Sequence, residues 1–373
     1  MKSIDKLCLI FNVPTYYNEP TYLLIEKYYN CDWYFGDWKT DIKKMDTDQF
    51  KRCLFLKVNH QNSKLYTQSR MISILRNKEY QTFLMTGETR NLSFWWFLFV
   101  RNLFYRNKRI YLWTHGWYGK ETRIEALIKK WMFRSVTGIF TYGDYAKKLL
   151  MKEGFPETKI FPIHNALHYE QQLALRNRMQ ASDFYQNHFG NSNPVLLFIG
   201  RLTKVKQLDM LVNAVANLKQ QGKLYNLVFV GDGTERGKLE TLVNDRGIND
   251  SVWFYGECYE ENINAELVYN ADLCVAPGNV GLTAMHSLMF GTPVITHDNF
   301  AYQMPEFEAI KNGLTGNFYH QGSQESLEEK ISLWFEQYGR DRETIRNNCF
   351  MEIDKNWTPD FQLNVIKNNI VIA

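Results

Sequence analysis

The stretch 277–295 has the residue types of an anion-binding turn. Gly278 and Gly281 follow an apolar run that is typical of a strand, and a short helix is expected over 282–290. Glycine lets the backbone bend tightly and come close to a ligand. The first N–H groups of a helix point in the same direction as the positive end of its dipole. The pattern therefore predicts a phosphate site, although many such turns in α/β proteins hold no ligand.

Three further side chains stand where strands are expected to end. Arg201 and Lys206 follow an apolar run that ends in Gly200, and His115 follows a second apolar run. Ligands in open α/β sheets bind at the carboxyl ends of the strands. The two cations therefore predict an anion site, with solvated surface charges as the alternative. His115 is either a residue of the binding cleft or a structural histidine.

The order of these residues resembles that of the group 1 (family four) glycosyltransferases of GT-B fold. Gly281-Leu-Thr-x-x-His-Ser-Leu-x-x-Gly-Thr-Pro-Val-Ile is similar to their donor-binding segment, which usually reads Glu-Gly-x-Gly-x-x-x-x-Glu-Ala-x-x-x-Gly-x-Pro-Val-Ile. Gly200-Arg-Leu-x-x-x-Lys is similar to a second motif of the family. In this alignment the two glutamates of the family fall at Gly278 and His286, so both are replaced.

The resemblance implies a role for each of these positions. The two cations would hold the diphosphate of a nucleotide-sugar, whose charge increases as the glycosidic bond breaks, and His115 would contact the donor sugar. His286 would meet the ribose as a donor or an acceptor, while Asn279 or backbone groups would replace the glutamate missing at Gly278. The predicted catalytic residues are His115, Arg201 and Lys206, and the predicted donor-binding residues are Gly200, Gly233, Tyr255, Cys258, Gly278, Asn279, Gly281, Leu282, Thr283 and His286.

The resemblance is specific over about 195–320, partial over 110–165 and thin before 110. Strand-like apolar runs alternate with helical patterns, which predicts parallel sheets with right-handed crossovers. The implied fold is α/β of GT-B type, with two Rossmann-like domains that face each other across a cleft. The expected domains are an acceptor domain at 1–166, a linker at 167–193, a donor domain at 194–357, and a C-terminal helix at about 358–373 that crosses back to the first domain.

Length and composition limit the alternatives. A chain of 373 residues suits two domains. Its six cysteines form no C-x-x-C pair, which indicates reduced thiols and no disulfide frame or zinc site. Arg201, Lys206 and the helix N-terminus at 282–283 are expected to carry the phosphate charge, so a metal-independent reaction is expected, with no cofactor besides the nucleotide-sugar co-substrate. The sequence has no signal-peptide pattern and no apolar stretch of membrane-spanning length, so a cytoplasmic protein is expected.

Charge and aromatic residues are concentrated in the first half. Residues 1–165 contain 27 Lys and Arg against 15 Asp and Glu, while 166–373 contain 17 against 25. The aromatic run 94–100 precedes several basic residues, and 120–134 combines an apolar helical face with basic side chains. These segments are either core helices with solvated ends or helices that lie on an anionic membrane surface. The second reading predicts a peripheral position on the inner face of the membrane, with no nucleic-acid partner.

These observations predict a glycosyltransferase of the hexosyltransferase class. It would transfer a hexose-type sugar from a nucleotide-sugar, expected to be UDP-linked, to a glycan or a lipid-linked saccharide. The setting would be the synthesis of a surface polysaccharide such as a capsule or O-antigen, and the family outcome is retention at the anomeric carbon. The alternative is a catalytically silent nucleotide-binding partner of a membrane-associated glycan assembly complex.

Overall fold

The computed structural model describes residues 6–40, 42–60, 64–339 and 341–372. The chain divides into two compact units. The first contains the residues up to His168 together with those from Thr358 on, and the second is Tyr169–Trp357. The segment 167–193, expected as a linker, contains two helices, and its residues from Tyr169 on belong to the second unit.

A parallel seven-stranded sheet forms the centre of the described first unit. Its central strands β1, β6, β7 and β8 are mostly buried and rich in apolar residues, as expected for a parallel sheet covered on both faces, whereas the edge strand β3 exposes Leu54 and Phe55. The strand order is β3-β2-β1-β6-β7-β8-β9, and β4 pairs with β5 in a separate antiparallel ribbon. The strands are β1 Lys6–Phe11, β2 Cys31–Gly36, β3 Cys53–Leu56, β4 Val58–His60, β5 Tyr66–Gln68, β6 Tyr80–Thr86, β7 Arg109–Thr114, β8 Gly138–Thr141 and β9 Ile160–Pro162.

Helices cover both faces of this sheet, and two apolar clusters fill the space between. One face of α3 is buried against the sheet through Phe94, Phe97 and Leu98. A capping box of Thr122 and Glu125 begins α4. Within the described ranges, no helix is both long and apolar enough to span a bilayer. The helices are α1 Glu19–Tyr28, α2 Met71–Arg76, α3 Leu92–Phe104, α4 Arg123–Arg134 and α5 Asp144–Lys152.

The second unit repeats this plan with a six-stranded parallel sheet of order β12-β11-β10-β13-β14-β15. Because β10 and β13 are parallel neighbours, they end at the same edge of the sheet. The strand order reverses between them, which makes a topological switch point at that edge. The elements are α6 Tyr169–Arg176, α7 Phe184–Phe189, β10 Val195–Ile199, α8 Leu208–Gln220, β11 Asn226–Val230, α9 Arg236–Asp245, β12 Val252–Gly256, α10 Glu261–Asn270, β13 Leu273–Ala276, α11 Leu282–Met289, β14 Val294–His297, β15 Gly316–Tyr319, α12 Gln324–Tyr338 and α13 Arg342–Asn356.

The last helix, α14 Pro359–Asn369, belongs to the first unit, as the sequence predicted. It packs against α1, and Gln362 joins two parts of that unit. The Gln362 amide accepts a hydrogen bond from the Thr21 hydroxyl at 2.5 Å and donates one to the carbonyl oxygen of His164 at 2.7 Å. Because Gln362 is fully buried, these bonds fix the helix in place.

The basic fringe after the aromatic run differs from the expectation of a solvated end. Lys108 is buried, and its ammonium donates to the carbonyl oxygens of Asn77 and Tyr80 at 2.6 and 2.7 Å. The Arg101 guanidinium donates to the carbonyl oxygen of Lys108 at 2.7 Å. Both side chains therefore donate hydrogen bonds to backbone carbonyl oxygens, which need donors when they are removed from water.

Candidate functional site

The glycine turn lies between β13 and α11, where the sequence placed it. Gly281 has φ +56° directly before the helix, a conformation that favours glycine. At Gly278 the turn lies against the backbone of Val205 and Lys206, and its N–H donates to the Lys206 carbonyl oxygen at 2.9 Å. A Cβ atom at Gly278 would collide with the Val205 carbonyl oxygen. In this conformation the position therefore has no room for a side chain.

The carboxyl end of β10 contacts the beginning of α11. The Thr283 hydroxyl donates to the carbonyl oxygen of Ile199 at 2.7 Å. Gly200 follows directly, and a Cβ atom there would lie 3.3 Å from Thr283 Oγ1. The adjacent parallel strands β10 and β13 thus bring two segments together that are about eighty residues apart in the sequence.

Lys206 connects these two segments. Its ammonium donates to the backbone carbonyl oxygen of Asn279 at 2.7 Å and to the side-chain oxygen of Asn279 at 2.9 Å. Burial lowers the pKa of Lys206, Glu306 opposes the shift and nearby Arg201 adds to it, and the resulting pKa is about 8. Arg201 is exposed at the same strand end. Two cations and a helix N-terminus therefore converge at one point.

These groups line a cavity of about 560 Å³ within the second unit. Most of the predicted donor-site residues form its wall. Those that line the cavity are Gly200, Arg201, Lys206, Cys258, Asn279, Leu282, Thr283 and His286.

Four predicted donor-site residues are not part of the cavity wall. Gly278 and Gly281 shape the turn beneath it, and Gly233 lies in the turn after β11. Tyr255 is in β12, with its ring 5.1 Å from that of Trp253.

The cavity also has walls that the motifs did not identify. Asp232 and Glu257 contribute carboxylates, and Tyr259, Asn264 and Met304 complete the rim. Asp232 directly precedes Gly233, and Glu257 and Tyr259 flank Cys258, so all three adjoin residues that the sequence predicted. Asn264 is on α10, where no motif marks it. Its amide donates to the carbonyl oxygen of Cys258 at 3.1 Å, which ties the helix to the cavity loop.

His286, on α11, contacts the side chain of Gln172 on α6. Its Nδ1 lies 3.5 Å from the side-chain nitrogen of Gln172, which donates to the Glu261 carboxylate at 2.6 Å. Burial lowers the pKa of His286, and Glu261 acts in the opposite direction. The ring is therefore neutral at physiological pH.

His115 lies in the first unit, at the carboxyl end of β7. Its ring centroid is 4.7 Å from that of Tyr142 and 5.9 Å from that of Tyr118. Its Nδ1 has no hydrogen-bond partner among the residues that the structure describes. Burial first, and Lys129 second, lower the pKa of His115 to about 4, so its imidazole is neutral at pH 7.

A buried ion pair holds the loop after His115. The Glu121 carboxylate accepts from the backbone N–H groups of Tyr118 and Gly119 at 2.7 and 2.9 Å. The Lys129 ammonium donates to Glu121 at 2.7 Å and to the Gly116 carbonyl oxygen at 3.0 Å. Lys129 therefore fixes the loop, whereas the sequence analysis grouped it with the basic side chains of 120–134 that are either solvated or face an anionic membrane.

In the described part of the chain, no group of three or more His, Cys, Asp or Glu side chains could hold a metal ion. All six cysteines are free, and Cys8, Cys31, Cys274 and Cys349 are buried. Metal independence of the reaction stays a prediction.

Sequence comparison supports the resemblance. Residues 180–349 match the family model of group 1 glycosyl transferases. The 2-deoxystreptamine glucosyltransferase of Streptomyces kanamyceticus is 26% identical over 177 residues, which are 46% of this chain and 45% of that protein. The amylovoran biosynthesis glycosyltransferase AmsK of Erwinia amylovora is 30% identical over 139 residues, 37% of this chain and 31% of that protein. The chain thus spans less than half the length of these two relatives.

Structural comparison extends over nearly the whole chain. HepE of Anabaena, solved in complex with UDP, superposes with a TM-score of 0.71 at 14% identity and covers 97% of this chain and 99% of its own. With its two parallel-sheet units, the chain has the predicted α/β fold of GT-B type, and residues 180–349 match the group 1 glycosyl transferases.

Proposed function

We propose that this chain is a glycosyltransferase that uses a UDP-linked hexose as its donor. The observation that carries this proposal is the convergence of Arg201, Lys206 and the beginning of α11 on one cavity. When the glycosidic bond breaks, the leaving diphosphate gains negative charge. Fixed cations and unpaired helix N–H groups stabilise that charge without having to reorganise.

The proposed roles follow from position in the cavity. Leu282 and Thr283 begin α11 and offer backbone N–H groups to the phosphates. His286 lies farther along the same helix, at the place proposed for the ribose. Cys258 and Tyr259 form the wall proposed for the base, which an aromatic ring can stack against. No metal ion is needed in this scheme, because Arg201 and Lys206 supply the positive charge.

His115 is proposed to contact the donor sugar. A neutral imidazole at a strand end can donate to or accept from a sugar hydroxyl. The depressed pKa and the loop held by Glu121 and Lys129 support a fixed, uncharged ring. A hexose-type donor belongs to the same proposal, since the relatives described above include a glucosyltransferase. Retention at the anomeric carbon is proposed on the family resemblance alone.

The acceptor is proposed to be a glycan or a lipid-linked saccharide of a surface polysaccharide. A relative named for amylovoran biosynthesis supports a polysaccharide product. A lipid-linked acceptor would require the enzyme to work at a membrane. The surface of the first unit supports that requirement.

Two neighbouring helices of the first unit expose large apolar side chains. On α3, Trp96 and Phe104 are 56% and 72% exposed, and on α4, Ile124 and Leu127 are 72% and 69% exposed. The helices contact each other through Trp95 and Trp131, whose ring centroids are 5.3 Å apart. We call this surface the α3–α4 patch; it consists of Trp96, Phe99, Leu103, Phe104, Ile124, Leu127, Ile128 and Trp131.

The orientation of α4 is the reverse of that in an ordinary surface helix, which turns its apolar stripe inward. Here Met132 and Phe133 are buried, while Ile124, Leu127 and Trp131 face outward. Exposed apolar surface of this kind marks an interaction site. Together with the basic excess of the first 165 residues, it supports peripheral docking on an anionic membrane.

Some of the basic residues of α4 are already paired. Lys129 binds Glu121, and Lys130 binds Glu153 at 2.6 Å. Arg123 and Arg134 are exposed and have no ion pair among the described residues. Their positive charge is therefore available to an anionic surface, whereas Lys129 is held in the loop after His115.

Co-sedimentation tests the docking. Vesicles of phosphatidylcholine with one-third phosphatidylglycerol should bind the protein at low salt, and binding should fade with added salt. Ile124→Ser with Leu127→Ser should reduce binding about tenfold or more, since burying apolar side chains would no longer favour it. Leu224→Ser, an exposed leucine of the second unit, is the matched control. Equal sedimentation of the double variant and the parent would refute membrane docking through the α3–α4 patch.

A donor hydrolysis screen tests the enzyme. Purified protein is incubated with a panel of nucleotide-sugars, and release of the free nucleotide is measured with and without saccharide acceptors. Turnover of a UDP-hexose that is lost in Arg201→Ala would support the proposal. Gly278, which has no room for the family's sugar-contacting glutamate, favours one alternative: a catalytically silent nucleotide-binding partner. Tight UDP binding with no turnover of any donor would favour that alternative.

A further inference from the structure

His286, which lines the cavity, is connected to Gln172 and Glu261 by a chain of polar contacts. Gln172, on α6, is only 3% exposed, and its side-chain nitrogen is 2.6 Å from Glu261 Oε1. The same nitrogen is 3.5 Å from Nδ1 of His286, which lines the cavity. A contact between a buried amide, a carboxylate and an imidazole restricts where each proton can lie.

The carboxylate fixes the orientation of the amide. An ionised Glu261 can only accept hydrogen bonds, so the group of Gln172 that faces it must be the NH₂. That NH₂ has a second hydrogen, which is available to His286 Nδ1. An imidazole nitrogen that accepts a hydrogen bond has no proton, and the single proton of the neutral ring must then be on Nε2.

We propose that Gln172 and Glu261 fix the tautomer of His286, so that its Nε2 presents an N–H donor to the nucleotide. The inference rests on the proposed function in one respect, namely that the ligand of the cavity is a nucleotide. It makes Gln172 and Glu261 positioning residues, because they act through His286. The atom bound at this point must be an acceptor, such as a ribose hydroxyl oxygen.

His286 would donate a hydrogen bond to the ligand, whereas a glutamate at the same position would accept one. A carboxylate could only accept a proton from the ribose hydroxyl. It would also stand near the carboxylate of Glu261, and two like charges in one half-buried site oppose each other. The side chain of glutamine, in contrast, offers an N–H donor without adding charge. Glutamine should therefore replace His286 better than glutamate does.

The first experiment needs no nucleotide. Long-range ¹H–¹⁵N correlation spectra of the uniformly ¹⁵N-labelled full chain at pH 7.5 distinguish the two tautomers of each histidine. We expect His286 with its proton on Nε2 and loss of that preference in Gln172→Met. Gln171→Met, a change at the exposed neighbouring glutamine, is the matched control. A proton on Nδ1 in the parent protein would overturn the inference whether or not UDP binds.

The second experiment measures UDP affinity by titration calorimetry. His286→Gln should remain within about threefold of the parent, while His286→Ala and His286→Glu should lose about tenfold or more, the scale of one hydrogen bond. Affinity of the glutamate variant equal to the parent, with loss in the glutamine variant, would overturn the inference. A parent protein that binds no UDP would refute the proposed function, and the spectra would still decide the tautomer.

Discussion

Lys206 gives the sharpest test of the diphosphate site, because its charge depends on pH in an accessible range. Burial and Arg201 lower its pKa to about 8 in the free protein. A bound diphosphate would favour the ammonium form and raise the pKa again. Affinity for UDP should therefore be full below pH 8 and decrease as the pH rises through that value.

The size of the decrease in UDP affinity follows from the fraction of Lys206 that is protonated. With a pKa of about 8, roughly nine-tenths of Lys206 is charged at pH 7 and roughly one-tenth at pH 9. If the charged form binds UDP, the apparent affinity should decrease about tenfold between these two values and by about one further decade per pH unit above. The phosphate groups do not interfere, because their second pKa lies near 6.

The assay is titration calorimetry of UDP between pH 6.5 and 10. Lys206→Met should lower the affinity at pH 7 and abolish the decrease between pH 7 and 9, whereas Lys206→Arg should keep a charge over the whole range. Lys204→Met, an exposed lysine in the same turn, is the matched control and should retain the profile of the parent. A parent affinity that is constant from pH 7 to 9 would refute the assignment of Lys206 to the phosphates.

Three further predictions concern single residues. Arg201→Ala should lower turnover about 10²-fold without changing the melting temperature, because the side chain is exposed; the exposed Arg246→Ala is its control, and undiminished turnover would remove Arg201 from the site. His115→Ala should lower kcat and leave UDP affinity unchanged, as rapid-quench assays and calorimetry can show; normal kcat would make His115 structural. Gly278→Ala should lower the free energy of unfolding by about 1–3 kcal/mol, measured in urea, and weaken UDP binding, whereas the unobstructed Gly237→Ala should not; an unaffected Gly278 variant would contradict the close packing of the turn.

The sequence predicted the architecture well, because the relevant signals are local. Uninterrupted apolar runs such as Lys6–Phe11 are typical of strands buried on both faces, and β1 has these same limits. The helices α11 and α14 also lie within the predicted segments 282–290 and about 358–373. In contrast, β2 was not recognised, because Cys31-Asp-Trp-Tyr-Phe-Gly contains a charged residue. Its Asp32 is buried, and an ion pair with Arg52 at 3.1 Å stabilises the buried charge. The local sequence pattern does not indicate this partner.

The glycine motifs and the cation spacing identified eight of the residues that line the cavity from the amino-acid sequence alone. They succeeded because backbone turns and strand ends leave signatures in consecutive residues. The contact between Thr283 and Ile199 has no such signature, since the two residues are brought together only by the pairing of β10 with β13. The same applies to Asn264, which faces the cavity from a helix without a motif.

The chemical state of the site was decided by tertiary structure alone. A sequence shows that Lys206, His115 and His286 are present, but burial and neighbouring charges set their pKa values. Which face of α4 is buried also depends on what packs against it, and here the apolar side chains of Ile124 and Leu127 remain outside. The sequence determined the elements and their motifs because these depend on near neighbours, whereas desolvation and exposure depend on residues that are far away along the chain.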